Sequence, residues 1–307
     1  MGAGIFTRLL KKRAVKKPGP AIDRPDPLKG KVIKDEDLKS TKISKNLKEN
    51  RVYLEGILGR NIDIVSREFS LGTGSKYAWL VYLASLTNDA RIGENILRPL
   101  LLENSLAGIG RSGGDIIDLI EKSILTTAEV RSKAYSMYDV TNSVLYGGVA
   151  LFVDGCAEAL IIDLKYWPQR PVEKADVEVV MRGSKESFTE TIGVNTSLVR
   201  RRLRSPNLVI EGLNLGRQTN TAVNIAYLKG LVSPGLLREV KSRVGRIDID
   251  GILESGYIEE LIQDDPYSPF PQIGYSERPD RVVSTLLQGR VCIFTDGTPM
   301  VLYLPTA

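Results

Sequence analysis

The chain has no histidine among its 307 residues. That removes the side chain that most often acts as general base near neutral pH and most often binds a metal. Ser-His-Asp and Cys-His sites are excluded with it. Two cysteines, Cys156 and Cys292, are too few for a disulfide framework. No secretory signal and no run of 18 or more apolar residues is present, so a reduced, cytosol-like compartment is expected and nothing in these residues spans a bilayer. Gly72-Thr73-Gly74-Ser75-Lys76 lacks the spacing of a phosphate loop and is followed by a strand-like run, which suits a hairpin turn. The carboxylates do not follow calcium-loop spacing, and no aromatic platform marks a sugar cleft. The expectation is a non-enzymatic chain without cofactor or metal that binds, senses or assembles.

What is present is enough for a full core. Hydrophobic residues make up 42% and charged residues 26%, and the length suggests two domains. The net charge of +5 is concentrated at one end. Residues 1–40 hold 11 Lys/Arg against 5 Asp/Glu, a balance of +6, so the remaining 267 residues sum to −1. Pro18, Pro20, Pro25 and Pro27 interrupt any helix there, which predicts a basic disordered arm over 1–40. Within it, Ile5-Phe6 and Leu9-Leu10 beside Lys11-Lys12-Arg13 have the makeup of a short amphipathic anchor. No interleaving of aromatic and basic residues supports nucleic-acid binding.

Folded sequence is expected from near Ile43. Leu47, Val52-Tyr53-Leu54 and Ile57-Leu58 approximate a helix stopped by Gly59, Ile62–Phe69 reads as a strand, and Tyr77–Leu83 reads as a strand buried on both faces. Asn88 can cap a helix carrying Ile92, Ile96-Leu97 and Leu100-Leu101. These elements define a first α/β subdomain over 41–134 and a second over 135–307. Val140–Gly155 (VTNSVLYGGVALFVDG) aligns without gaps onto Val282–Gly297 (VVSTLLQGRVCIFTDG) at an offset of 142. Each copy reads as helix end, glycine stop, strand and Asp-Gly turn, with Asp154 and Asp296 as turn residues. A common supersecondary unit used twice accounts for this echo. Between the copies come a helix over about Ser187–Arg204, a hairpin of Leu208–Leu215 and Thr221–Leu228, and a helix opened by Ser233-Pro234. The fold class predicted is α/β, with two subdomains of mixed sheets separated by a cleft.

Arg200-Arg201-Arg202 and Arg204 sit where a helix macrodipole is negative, which accounts for most of them, and guanidinium is also the best grip for a carboxylate. Asp248, Asp250, Glu254, Glu259-Glu260 and Asp264-Asp265 concentrate acid on what reads as a solvated or docking face.

Longer motifs carry a resemblance. Glu186–Asn195 (ESFTETIGVN), Leu198–Leu208 (LVRRRLRSPNL), Arg246–Leu261 (RIDIDGILESGYIEEL), Ser268–Gln272 (SPFPQ), Glu277–Arg281 (ERPDR), the hairpin after Asp154 and Trp167-Pro168-Gln169-Arg170 resemble the A subunit of GerA-type spore germination receptors over about residues 45–305. The resemblance implies a soluble amino-terminal domain of two subdomains, similar to solute-binding proteins, followed in the family by a membrane domain. It implies a place in the spore inner membrane with this part on the cytoplasmic, spore-core side, B and C subunits as partners, and A-subunit homo-oligomers forming a nutrient-gated channel. A paralogue handling dipicolinate shares these motifs.

Two functions follow as expectations. In the first, a small nutrient such as an amino acid or sugar binds between the subdomains, with Arg182, Glu190, Asn195, Arg200 and Glu254 as ligand candidates. In the second, the chain is an assembly module with Glu259, Phe270 and Gln272 in the contact surface.

Overall fold

Two sheets account for the ten strands found among the described residues of the computed structural model, which are 31–71, 76–102, 113–124, 129–166, 186–264 and 271–306. The first sheet is built from β1 (Ile64–Leu71), β2 (Lys76–Leu83), β3 (Glu129–Ala134), β4 (Gly148–Val153) and β5 (Ala159–Asp163), in the order β1-β2-β4-β5-β3. The second comprises β6 (Leu208–Leu215), β7 (Thr221–Leu228), β8 (Gly274–Ser276), β9 (Val291–Thr295) and β10 (Val301–Leu304), in the order β6-β7-β9-β10-β8. The two orders are the same. Every pairing is antiparallel, so the sheets expected as mixed are not.

Each sheet is covered on both faces, which is why strands β2, β4, β5 and β9 read as continuous apolar runs. In the first unit, α1 (Asp35–Ser40), α2 (Leu47–Leu58) and α6 (Met137–Leu145) enclose a core with Trp79, Val81, Phe152 and Ile161. The opposite face packs on α3 (Asp89–Ile92), which runs through a π-helical stretch into α4 (Arg98–Leu102), and on α5 (Gly113–Ile124). Trp79 and Phe152 stack with centroids 5.0 Å apart, adding about 1 kcal/mol to their area burial. In the second unit, α7 (Ile192–Arg202) and α10 (Pro279–Leu287) cover one face, and α8 (Pro234–Gly245) and α9 (Ser255–Ile262) the other. Alternation along β6 sends Leu208 and Ile210 to one core and Val209 to the other.

Local signals explain the boundaries. Asn88 Oδ1 accepts from the amides of Ala90 and Arg91 and starts α3. Pro234 and Pro279 occupy first-turn positions that need no N–H. The Asp-Gly turns at 154–155 and 296–297 place Gly155 and Gly297 at φ 84° and 90°, a region L-residues avoid.

Two expected boundaries are corrected. β4 and β5 belong to the first sheet, so a division at 134/135 cuts through it; the units part between β5 and α7. The cause is β3, which joins its sheet only at the far edge, against β5, a pairing no local pattern reveals. The arm is also shorter than 40 residues. Ile33 and Leu38 are buried, and Ile33 is tied by both its backbone N–H and C=O to Asn207.

Candidate functional site: the seam between two like units

The two units share more than strand order. Asn50, on α2, accepts from Ser44 N at 2.8 Å and donates to Ser44 O at 2.7 Å. Asn195, on α7, does the same to Thr189, at 2.8 and 2.6 Å. Asp154 Oδ1 faces Leu47 N at 3.5 Å, and Asp296 Oδ1 accepts from Ile192 N at 3.0 Å, each at the start of a helix. Gly155 N donates to Lys45 O and Gly297 N to Glu190 O. The echo noted over 16 residues is therefore one part of a duplication that includes both sheets and their helices. A Ser or Thr six residues before Asn at a helix start (Ser44/Asn50, Thr189/Asn195) is the sequence signal that extends it.

α7 and the free edge of β6 meet the first unit. Arg200, 1% exposed, reaches across: Nε and Nη2 donate to the two carboxylate oxygens of Asp63 at 3.1 and 2.8 Å. Nη2 also donates to Asn61 Oδ1 at 2.7 Å, and Nη1 to Leu208 O at 3.3 Å. Asn61 Oδ1 accepts in addition from Ile210 N, and Ser85 Oγ donates to Asp63 at 2.6 Å. Ile62 N donates to Ile210 O at 2.8 Å, a single strand-like bond on the edge of β6. Gly212 allows this approach, because a Cβ there would lie 2.7 Å from Ile62 Cγ1. Further along, the Arg204 guanidinium lies 4.1 Å from the Tyr146 ring centroid, with Lys165 Nζ at 3.4 Å. Two buried charges, hydrogen-bonded to each other and to the polar groups around them, form a directional joint that is costly to break from one side.

The arginine tract is thus divided by task. Arg200 and Arg204 address the first unit, whereas Arg201 and Arg202 pair with Glu186 in their own. The macrodipole account does not cover Arg200. Its fork is held within the chain, as is the Asn195 amide, so neither presents donors to a ligand. Glu190 and Glu254 are both exposed. They come near one another around Gly297, whose N–H bonds Glu190 O and whose Cβ position lies 3.6 Å from Leu253 O. Arg182 and Phe270 lie outside the described residues. Glu259 is half-buried, and burial first, then the neighbouring Glu260 and Glu254, raise its carboxyl above the usual range. Gln272 is exposed, and its Oε1 accepts from Asp264 N. Sequence reasoning missed Asn61, Asp63 and Tyr146, whose partners lie far along the chain.

The first unit also carries an open cavity of about 840 Å³ at the Asp154-Gly155 turn, lined by Lys45, Lys48, Arg51, Val52 and Tyr77. Arg51 is engaged by Glu55 and Glu68. Cys156 and Cys292 are buried; burial raises both thiols, Cys292 to about 12, which disfavours the reactive thiolate at neutral pH. Among the described residues no group of His, Cys, Asp and Glu could hold a metal, and no helix is long and apolar enough to cross a membrane.

Residues 52–307 match the family described as Bacillus/Clostridium GerA spore germination protein. The chain is 41% identical over 272 residues to the membrane protein YfkQ of Bacillus subtilis, covering 88% of this chain and 51% of that protein. It is 34% identical over 264 residues to spore germination protein KA of Bacillus subtilis, covering 86% of this chain and 47% of the relative. The chain therefore spans about half the length of the curated relatives it matches. Among solved structures, it resembles the N-terminal domain of the A subunit of the Bacillus megaterium spore germinant receptor GerK3. There the TM-score is 0.68 at 34% identity, over 87% of this chain and 97% of that one.

Proposed function

We propose, from the premise that this chain belongs to the GerA family of spore germination proteins, that it is the sensing and relay part of a germination receptor A subunit. In this reading a small nutrient biases the orientation of the two units, and the bias passes to a membrane domain beyond residue 307. The chain acts without catalysis, beside B and C subunits and further A subunits, on the core side of the spore inner membrane.

The observation that carries the reading is the buried Arg200–Asp63 joint. It ties two units of one plan through strong, directional bonds, which specify one arrangement of the units more sharply than apolar contact does. A ligand shifts such an equilibrium only by its differential affinity for the two arrangements, so the strength of the joint sets the response. Glu190 and Glu254 around Gly297, together with Arg182, are the polar positions we assign to the nutrient.

The test is germination of spores carrying the full-length receptor with Arg200→Lys or Asp63→Asn. Lysine lacks the planar fork, so both changes weaken the joint while keeping its size. The nutrient concentration for half-maximal germination should move by about tenfold, the equivalent of about 1.4 kcal/mol. An unchanged dose response with normal receptor levels would remove the relay role from the seam.

A further inference from the structure

On the second unit, α9 presents an apolar stripe to solvent as well as to the core. Ile258 and Ile262 face the interior, while Tyr257 and Leu261 on α9, and Leu253 in the extended stretch just before it, remain 41, 42 and 66% exposed. The stripe is edged by the exposed carboxylates of Glu254 and Glu260. Residues 247–277 hold eight Asp/Glu and no Lys or Arg. Of the described acids there, Asp248 and Asp250 pair with Arg217, and Asp264 with Arg243. Glu254 and Glu260 have no cationic partner among the described residues. An exposed apolar stripe rimmed with one sign of charge is a docking surface for an apolar segment of the opposite sign.

The chain supplies such a segment. Residues 1–22 hold six Lys/Arg and no acid, and Ile5, Phe6, Leu9 and Leu10 fall at the i, i+1, i+4, i+5 spacing that gathers one helical face. The reach is sufficient. Ile33 is tied to Asn207, and Val32 sits against Gly230, at one end of the β6–β7 hairpin. The stripe begins at the other end, where Ile252 N bonds Thr219 Oγ1. Strands of eight residues separate these ends by about 26 Å. The 13 residues Pro18–Gly30 span about 40 Å when extended.

We infer that the basic amino-terminal segment, Gly4–Lys17, docks on the Leu253–Tyr257–Leu261 stripe of its own chain. Tethering supplies an effective concentration in the millimolar range, so a weak contact suffices. Ordering the segment there ties the start of the chain to the far end of the second unit. The inference does not depend on the relay role of the seam.

Amide hydrogen exchange of the 307-residue chain tests it at the Glu259–Ile262 amides of α9. In low salt these should exchange at least tenfold more slowly in the parent than in Lys11→Glu/Lys12→Glu/Arg13→Glu or in Leu9→Ser/Leu10→Ser. Glu254→Lys/Glu260→Lys should lose the same protection and regain it when combined with the first triple reversal. Equal exchange in the parent and both arm variants overturns the inference. So does protection that survives in the arm variants and grows with protein concentration, which would make the occupant a second copy. Protection seen only with phosphatidylglycerol vesicles assigns the segment to a lipid surface and also overturns it.

Discussion

The first and second units repeat one plan, and what they keep separates from what they vary. Both keep the strand order, the Asn clamp on the turn before the helix, the Asp facing the helix start and the positive-φ glycine of the Asp-Gly turn. These are backbone problems that any copy of the fold must solve. The flanks of that turn differ. The first unit has an open cavity there, lined by Lys45, Lys48 and Arg51 together with Glu55, Glu68 and Asp154, and the second brings Leu253 against the turn and continues into the acidic stripe of α9. Shared residues thus report on stability, and unshared ones are where function is to be sought.

The largest expected effect comes from the joint, which has no counterpart within either unit. Arg200→Met should cost about 3–5 kcal/mol, because Asp63 and Asn61 are left buried without their partner. Calorimetry should then resolve two transitions where the parent shows one. A single transition at an unchanged midpoint would mean that the units are held together elsewhere. Next come the clamps. Asn50→Ala and Asn195→Ala should each cost about 1–3 kcal/mol, since each strands one backbone N–H and one C=O. The losses should be similar and additive in denaturant titrations, and a large inequality would break the equivalence of the units.

The smallest effect sharpens the contrast at α9. The Glu259 carboxyl is raised in the folded state, chiefly by burial. Its favourable contribution is therefore present below the ordinary carboxylate range and lost as pH rises through the raised value. Glu259→Gln should stabilise the chain at pH 7 by less than about 0.5 kcal/mol and leave it unchanged at acid pH, read from urea midpoints.

Much of this was legible locally. The β6–β7 hairpin, the Asn88 cap, the Pro234 start and the paired Asp-Gly turns rest on neighbours within a few residues, and the structure has them where those signals point. The family resemblance was carried by runs such as Leu198–Leu208. The unit boundary was not legible, because β3 finds its partner only across the sheet. Nor was the role of Arg200. A helix-end arginine has a sufficient local explanation, and its partner Asp63 lies 137 residues away. Asn195 was read as a ligand group because its amide looks alike in a clamp and in a pocket; only Asn50 doing the same in the other unit distinguishes them.

The burial of Cys292 has one more consequence. Burial raises this thiol well above its ordinary value, so the thiolate that peroxide and disulfide exchange attack is scarce at neutral pH. The same packing that fills the centre of the second sheet thus keeps its one thiol enclosed and in the less reactive, protonated form.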